Sequence, residues 1–132
     1  MKLQLKSSKK LRDIQREFHK EFPYLKIEFF KNPHKKGQAS AKKDLLDSSL
    51  TLGKVAKAQG ELDVSAKMKV YELEQQLRRD FGLNVQVFRK AGNVWMETSA
   101  TDGWTLEEQQ AEARESEKQY IHSMHNFADE RQ

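Results

Sequence analysis

The segments LRDIQREFHKEF, Leu11–Phe22, and VYELEQQLRRDF, Val70–Phe81, decide the fold. In the first, Leu11, Ile14, Phe18 and Phe22 stand at offsets 0, 3, 7 and 11, and Val70, Leu73, Leu77 and Phe81 repeat those offsets 59 residues later. At about 100° per residue, such positions fall within an arc of roughly 80°, one apolar stripe along a helix. Each segment therefore predicts a helix with a single face to bury. Ser7 or Ser8 is the expected cap of the first, and Pro23 its stop, because the residue before a proline is driven out of the α region. Gly82 ends the second, where a left-handed residue costs glycine least.

The correspondence extends outward from both helices. Leu3 and Leu5 precede the first as Leu62 and Val64 precede the second, each pair in an alternating strand pattern. Leu25, Ile27 and Phe29 follow the first as Leu83, Val85 and Val87 follow the second, slipped by one residue where Pro23-Tyr24 is replaced by Gly82. Two strand–helix–strand units, residues 1–31 and 60–90, are thus expected to arise by internal duplication.

Between them, residues 31–43 are polar and basic without an apolar period, which predicts a mobile loop. Leu45, Leu46, Leu50, Leu52 and Val55 follow and suit a short helix against the core. After the second unit, a two-residue turn drawn from Ala91-Gly92-Asn93 leads into Val94–Thr98. Either choice of turn sets Phe88 and Trp95 on the face opposite Val85 and Val87. Thr105 and Glu108 form a capping box for a third helix through Leu106, Ala113 and Tyr120. Residues 123–132 read as a frayed tail. The fold class is α+β: a two-layer sandwich with one mixed or antiparallel sheet of about five strands, a ferredoxin-like variant with a C-terminal helix, in one domain over residues 1–122.

A third of the residues are charged and the mean hydropathy is −0.92, which suits a thin, wet structure better than a deep pocket. Without cysteine, the chain can form no disulfide, thiolate metal site or cysteine nucleophile. No apolar run approaches the roughly 18 residues that span a bilayer, and the N-terminus lacks the apolar core of a signal peptide, so a cytoplasmic protein without a membrane partner is expected. Residues 1–60 carry 15 Lys and Arg against 6 Asp and Glu, while residues 61–132 carry 9 against 14. That asymmetry marks an anion-binding half, or two halves that attract each other.

The candidate sites follow. Lys35, Lys36, Lys42 and Lys43 offer phosphate contacts on a flexible arm, although lysine runs are more often simply solvated. Phe88 and Trp95, joined by Phe30, offer an aromatic surface for a protein partner, unless the third helix covers them, which is the expected arrangement. Trp104 is expected to pack at that helix's entry. His122 and His125, with Asp129 one turn on, have helical metal-ligand spacing but no second cluster, so no metal is expected. His19 and His34 have no partner visible in sequence. Neither phosphate-binding nor hydrolase motifs occur, and no cofactor is expected.

Val85-Gln86-Val87-Phe88-Arg89-Lys90, Gly92-Asn93-Val94-Trp95, Glu97-Thr98, Thr101-Asp102 and Trp104-Thr105-Leu106, with Phe22–Phe29 upstream, resemble the signature of a family of small bacterial proteins. The resemblance covers most of the chain. It implies a bacterial, intracellular protein and supplies neither an activity nor site residues. The reading that follows is a non-enzymatic binding or protein-interaction module, with nucleic-acid binding through the basic loop and first helix as the alternative and an enzyme third.

Overall fold

The computed structural model describes residues 1–34 and 37–130, with an α+β architecture of five strands and four helices. In chain order these are β1 (Lys2–Leu5), α1 (Leu11–Glu21), β2 (Leu25–Phe30), α2 (Leu52–Val55), β3 (Gly60–Asp63), α3 (Val70–Phe81), β4 (Asn84–Ala91), β5 (Val94–Glu97) and α4 (Leu106–Glu130). Single 3₁₀ turns lie at Lys42–Asp44 and Ser99–Thr101.

Both stripes are buried as their spacing requires: none of their eight residues is more than 6% exposed. Leu3, Leu5, Leu62 and Val64 join them in the same core, as do Leu25, Ile27, Phe29, Leu83, Val85 and Val87. The chain does not form the single sheet expected of a ferredoxin-like order. Its strands divide into an antiparallel pair, β1–β3, and an antiparallel three-stranded sheet ordered β2-β4-β5. Each strand of the first unit takes its backbone partner from the matching strand of the second. Leu3 lies opposite Leu62, and Glu28 opposite Gln86, so residues that correspond in the two units, 59 and 58 apart, face each other. With those bonds made within each pair, the sheets close separately and are joined through helix packing.

The helix ends show where local chemistry decides. α1 starts later than Ser7 or Ser8 suggested: Lys10 precedes it, and the Asp13 carboxylate accepts the Lys10 N–H at 3.0 Å. Ser7 instead directs its N–H and hydroxyl to Gln59 Oε1. α3 ends at Gly82, left-handed at φ +66°. At α4, Thr105 Oγ1 accepts the Glu108 N–H and Glu108 Oε1 accepts the Thr105 N–H, both at 3.1 Å, closing the capping box. α4 buries Leu106 and Ala113 and is helical as far as Glu130.

Residues 31–34 and 37–44 are irregular, as their composition implies, and several of their polar groups are hydrogen-bonded. The Lys31 N–H bonds the Asp44 carbonyl at 2.7 Å, the Gly37 N–H bonds Asp102 Oδ2 at 2.7 Å, and the buried Ser40 hydroxyl reaches Gln86 Oε1 at 3.3 Å. Backbone polarity explains these bonds, because a segment without apolar side chains can still be held by hydrogen bonds to buried partners. Of the five apolar residues that follow, only Leu52 and Val55 are helical; Leu46 and Leu50 pack against the core from non-helical backbone, and Leu45 is half exposed. No described helix is long and apolar enough to cross a membrane.

Candidate functional site

The β4–β5 hairpin turns at Gly92-Asn93, pairing Ala91 with Val94, Lys90 with Trp95, Arg89 with Met96 and Phe88 with Glu97. Gly92 takes φ +63°, which this tight turn needs. Phe88 and Trp95 therefore share the face opposite Val85 and Val87, as parity requires. Lys26, reaching from β2, places Nζ 5.3 Å from the Phe88 ring centre and 5.1 Å from that of Trp95. The His19 ring meets Trp95 edge-on at 5.9 Å.

The expected cover from the third helix takes another form. α4 bonds Tyr24, Arg89 and Lys90, through Gln110, Gln109 and Glu117, while the ring contacts of Phe88 and Trp95 are with Lys26 and His19. Trp95 remains 37% exposed, Val94 56% and Met96 44%. Phe30 does not join the patch: it is buried at the far end of β2, bridged to Leu45. Trp104 lies at the entry to α4 beneath the Arg89 guanidinium, 5.4 Å away.

The backbone of β5 adds a second feature. The register and the bond from the Thr98 N–H to the Val87 carbonyl, 3.2 Å, turn the groups of residues 94, 96 and 98 inward to β4. Antiparallel alternation then turns those of Trp95 and Glu97 outward. Among the described residues, no hydrogen bond reaches these outward groups. On the opposite edge of the same sheet the outward carbonyls are taken. There the carbonyls of Leu25, Ile27 and Phe29 accept hydrogen bonds from His19 Nδ1 at 2.8 Å, Gln15 Nε2 at 2.8 Å and the Leu46 N–H at 2.9 Å. A carbonyl only accepts, so His19 Nδ1 carries the ring proton.

Between α1 and β2, next to Trp95, runs a groove of about 270 Å³ lined by Arg12, Gln15, Arg16, His19, Lys26 and Glu28. Its charges are largely matched: Lys26 pairs with Glu28 at 3.4 Å and Arg16 with Asp13 at 3.8 Å. Lys42 and Lys43 are exposed on their 3₁₀ turn and do not line this groove, while Lys35 and Lys36 lie outside the described residues.

A buried polar cluster has no signature in the sequence. His34 Nε2 stands 3.5 Å from Glu74 Oε1, with side chains only 10% and 7% exposed. Glu74 Oε2 accepts the Val87 N–H at 3.0 Å, satisfying β4 where β5 has ended. Burial pushes the Glu74 carboxyl above its ordinary range, opposed by the His34 contact, and the nearby Asp102 charge adds to the rise. The adjoining cleft holds about 30 Å³, the space of one water and not of a substrate. Among the described residues no three His, Asp or Glu side chains are grouped to hold a metal ion; His122 and His125 are exposed on α4.

Comparison with family models, with curated proteins and with solved structures finds no match, so the site is read from its own geometry.

Proposed function

We propose that the protein is a non-enzymatic interaction module that takes up an extended segment of a protein partner at the outer edge of β5. One observation carries this reading: β5 presents outward backbone groups without partners between three exposed apolar side chains, Val94, Trp95 and Met96. Proteins blunt sheet edges with charge, proline, bulges or cover, because an open edge recruits strands. The outward carbonyls of the β2 edge of this same sheet are all taken, and those of β5 are not. Strand addition uses such an edge, with main-chain bonds supplying affinity and side-chain contacts specificity. Trp95 and Phe88 supply the aromatic anchor.

Nucleic-acid binding has less support, since Lys42 and Lys43 are separate from the groove beside Trp95. An enzyme has less still, because the titratable cluster adjoins space for only about one water.

The test exploits strand geometry. The Glu97 N–H points outward, so Glu97→Pro removes one edge donor while leaving the β4–β5 ladder intact. Peptides selected from a random display library on the intact protein are expected to bind the parent and Glu97→Ala, and to lose binding to Glu97→Pro. Thermal melts should confirm that the proline variant is folded. A library yielding no proline-sensitive binder would overturn the proposal.

A further inference from the structure

Resting on the strand addition proposed above, we infer that the segment β5 takes up is basic at one end: it runs antiparallel, setting a lysine or arginine against Glu97 and apolar residues against Met96, Trp95 and Val94 in turn. The register places Trp95 and Glu97 on the face of Lys90 and Phe88, and Val94 and Met96 on that of Ala91 and Arg89. A strand laid along β5 sets one side chain about 5 Å from each of these four, alternating between the faces. Both main-chain groups of Trp95 and of Glu97 point outward, so an antiparallel strand exchanges two bonds with each. The existing pairings of this sheet are antiparallel as well. Read from its own N-terminus, the added strand therefore meets Glu97 first and Val94 last.

The charge beside each position selects what lies opposite it. Over Trp95 the place of a cation is already taken: Lys26 Nζ stands 5.1 Å from the ring centre while it pairs with Glu28, and Lys90 lies across the ladder. Beside Met96, the Arg89 guanidinium donates to Sδ at 3.6 Å, and its other hydrogen-bond partners, Thr101 and Gln109, are neutral. A further cation at either place meets like charge, whereas an apolar residue covers the exposed Trp95, Met96 and Val94. Glu97 differs. Among the described residues its carboxylate has neither an ion pair nor a hydrogen bond, so a cation opposite supplies a cross-strand pair that these residues leave open. A second copy of the strand does not meet the pattern, because Val94–Glu97 brings no cation of its own.

Fluorescence anisotropy on the intact protein, with synthetic peptides labelled on a polar flank, tests this. The reference peptide carries lysine followed by valine, isoleucine and valine. It is expected to bind about three- to tenfold more tightly than the same peptide with glutamate in place of lysine, and more tightly than the same residues in reverse order. Glu97→Gln should remove the preference for lysine over glutamate, and Glu97→Lys should invert it, with thermal melts showing that both variants fold. Glu97→Pro should lose every peptide. Equal affinity for the lysine and glutamate peptides, or a preference that survives Glu97→Lys, overturns the charge assignment, while loss of binding in Glu97→Pro would still uphold strand addition. Tighter binding of the reversed peptide overturns the orientation. Binding that Glu97→Pro leaves intact, or no binding by any peptide, overturns strand addition and this inference with it. Self-association of the parent protein in sedimentation, abolished by Glu97→Pro, would put a second copy on the edge and overturn the basic segment as its occupant.

Discussion

Phe22 and Phe81 close the two apolar stripes, and both are almost completely buried. Their positions were legible because a helix repeats its facing direction at fixed spacing, so four apolar residues define the stripe without knowledge of what it meets. Each change to Ala should cost about 3–5 kcal/mol in urea unfolding, the range for a core aromatic. A loss below about 1 kcal/mol at either position would mean that the site collapses freely, contrary to the packing described. Polar residues were legible only when their partners were local, as with Thr105 and Glu108. His19 reaches Leu25 and Trp95, and Glu74 reaches His34 and Val87; these meetings depend on how elements pack, and no spacing announces them.

Among the elements, the hairpin was the most legible, because strand parity and the demand for φ > 0 act within a few residues. Two glycines offer a contrast. A Cβ at Gly92 would sit 3.2 Å from Tyr120 Cδ2 with the backbone at φ +63°, whereas one at Gly103 would meet nothing within 4 Å. Gly92→Ala should therefore destabilise by about 1–2 kcal/mol, the penalty for a left-handed non-glycine residue, and Gly103→Ala should be nearly neutral. Equal midpoints for the two variants would contradict the turn assignment. The division into two sheets was not legible: hydrophobic alternation fixes which face of a strand is buried, and says nothing about which strand lies beside it. The hydrogen bonds of residues 37–44 escaped for a related reason, since they run to Asp102 and Gln86, far along the chain.

At the scale of the whole molecule the uneven charge remains to be placed. If the halves mainly neutralised each other, close ion pairs would cross between them. Lys2 does meet Glu61, at 3.9 Å, and His34 meets Glu74, at 3.5 Å, but Lys9–Glu17, Arg16–Asp13, Lys26–Glu28, Arg79–Asp80 and Lys90–Glu117 each stay within one half. Among the described residues, most of the excess of cations in residues 1–60 is thus left unmatched by close ion pairs to the other half. Such a surface should bind a polyanion weakly and diffusely at low salt, through counterion release, without a defined register. The expectation for a labelled DNA duplex is a steep log–log loss of affinity between about 50 and about 200 mM salt. Changing Lys42 and Lys43 together to Gln should lower that slope by no more than about 2, since each neutralised phosphate contributes about 0.9. Glu97→Pro should leave the slope untouched. A slope that collapses when these two lysines are removed would place the phosphate contacts on the Lys42–Asp44 turn. Nucleic-acid binding would then have a localised site, and the open edge of β5 would no longer be the strongest account of what this protein binds.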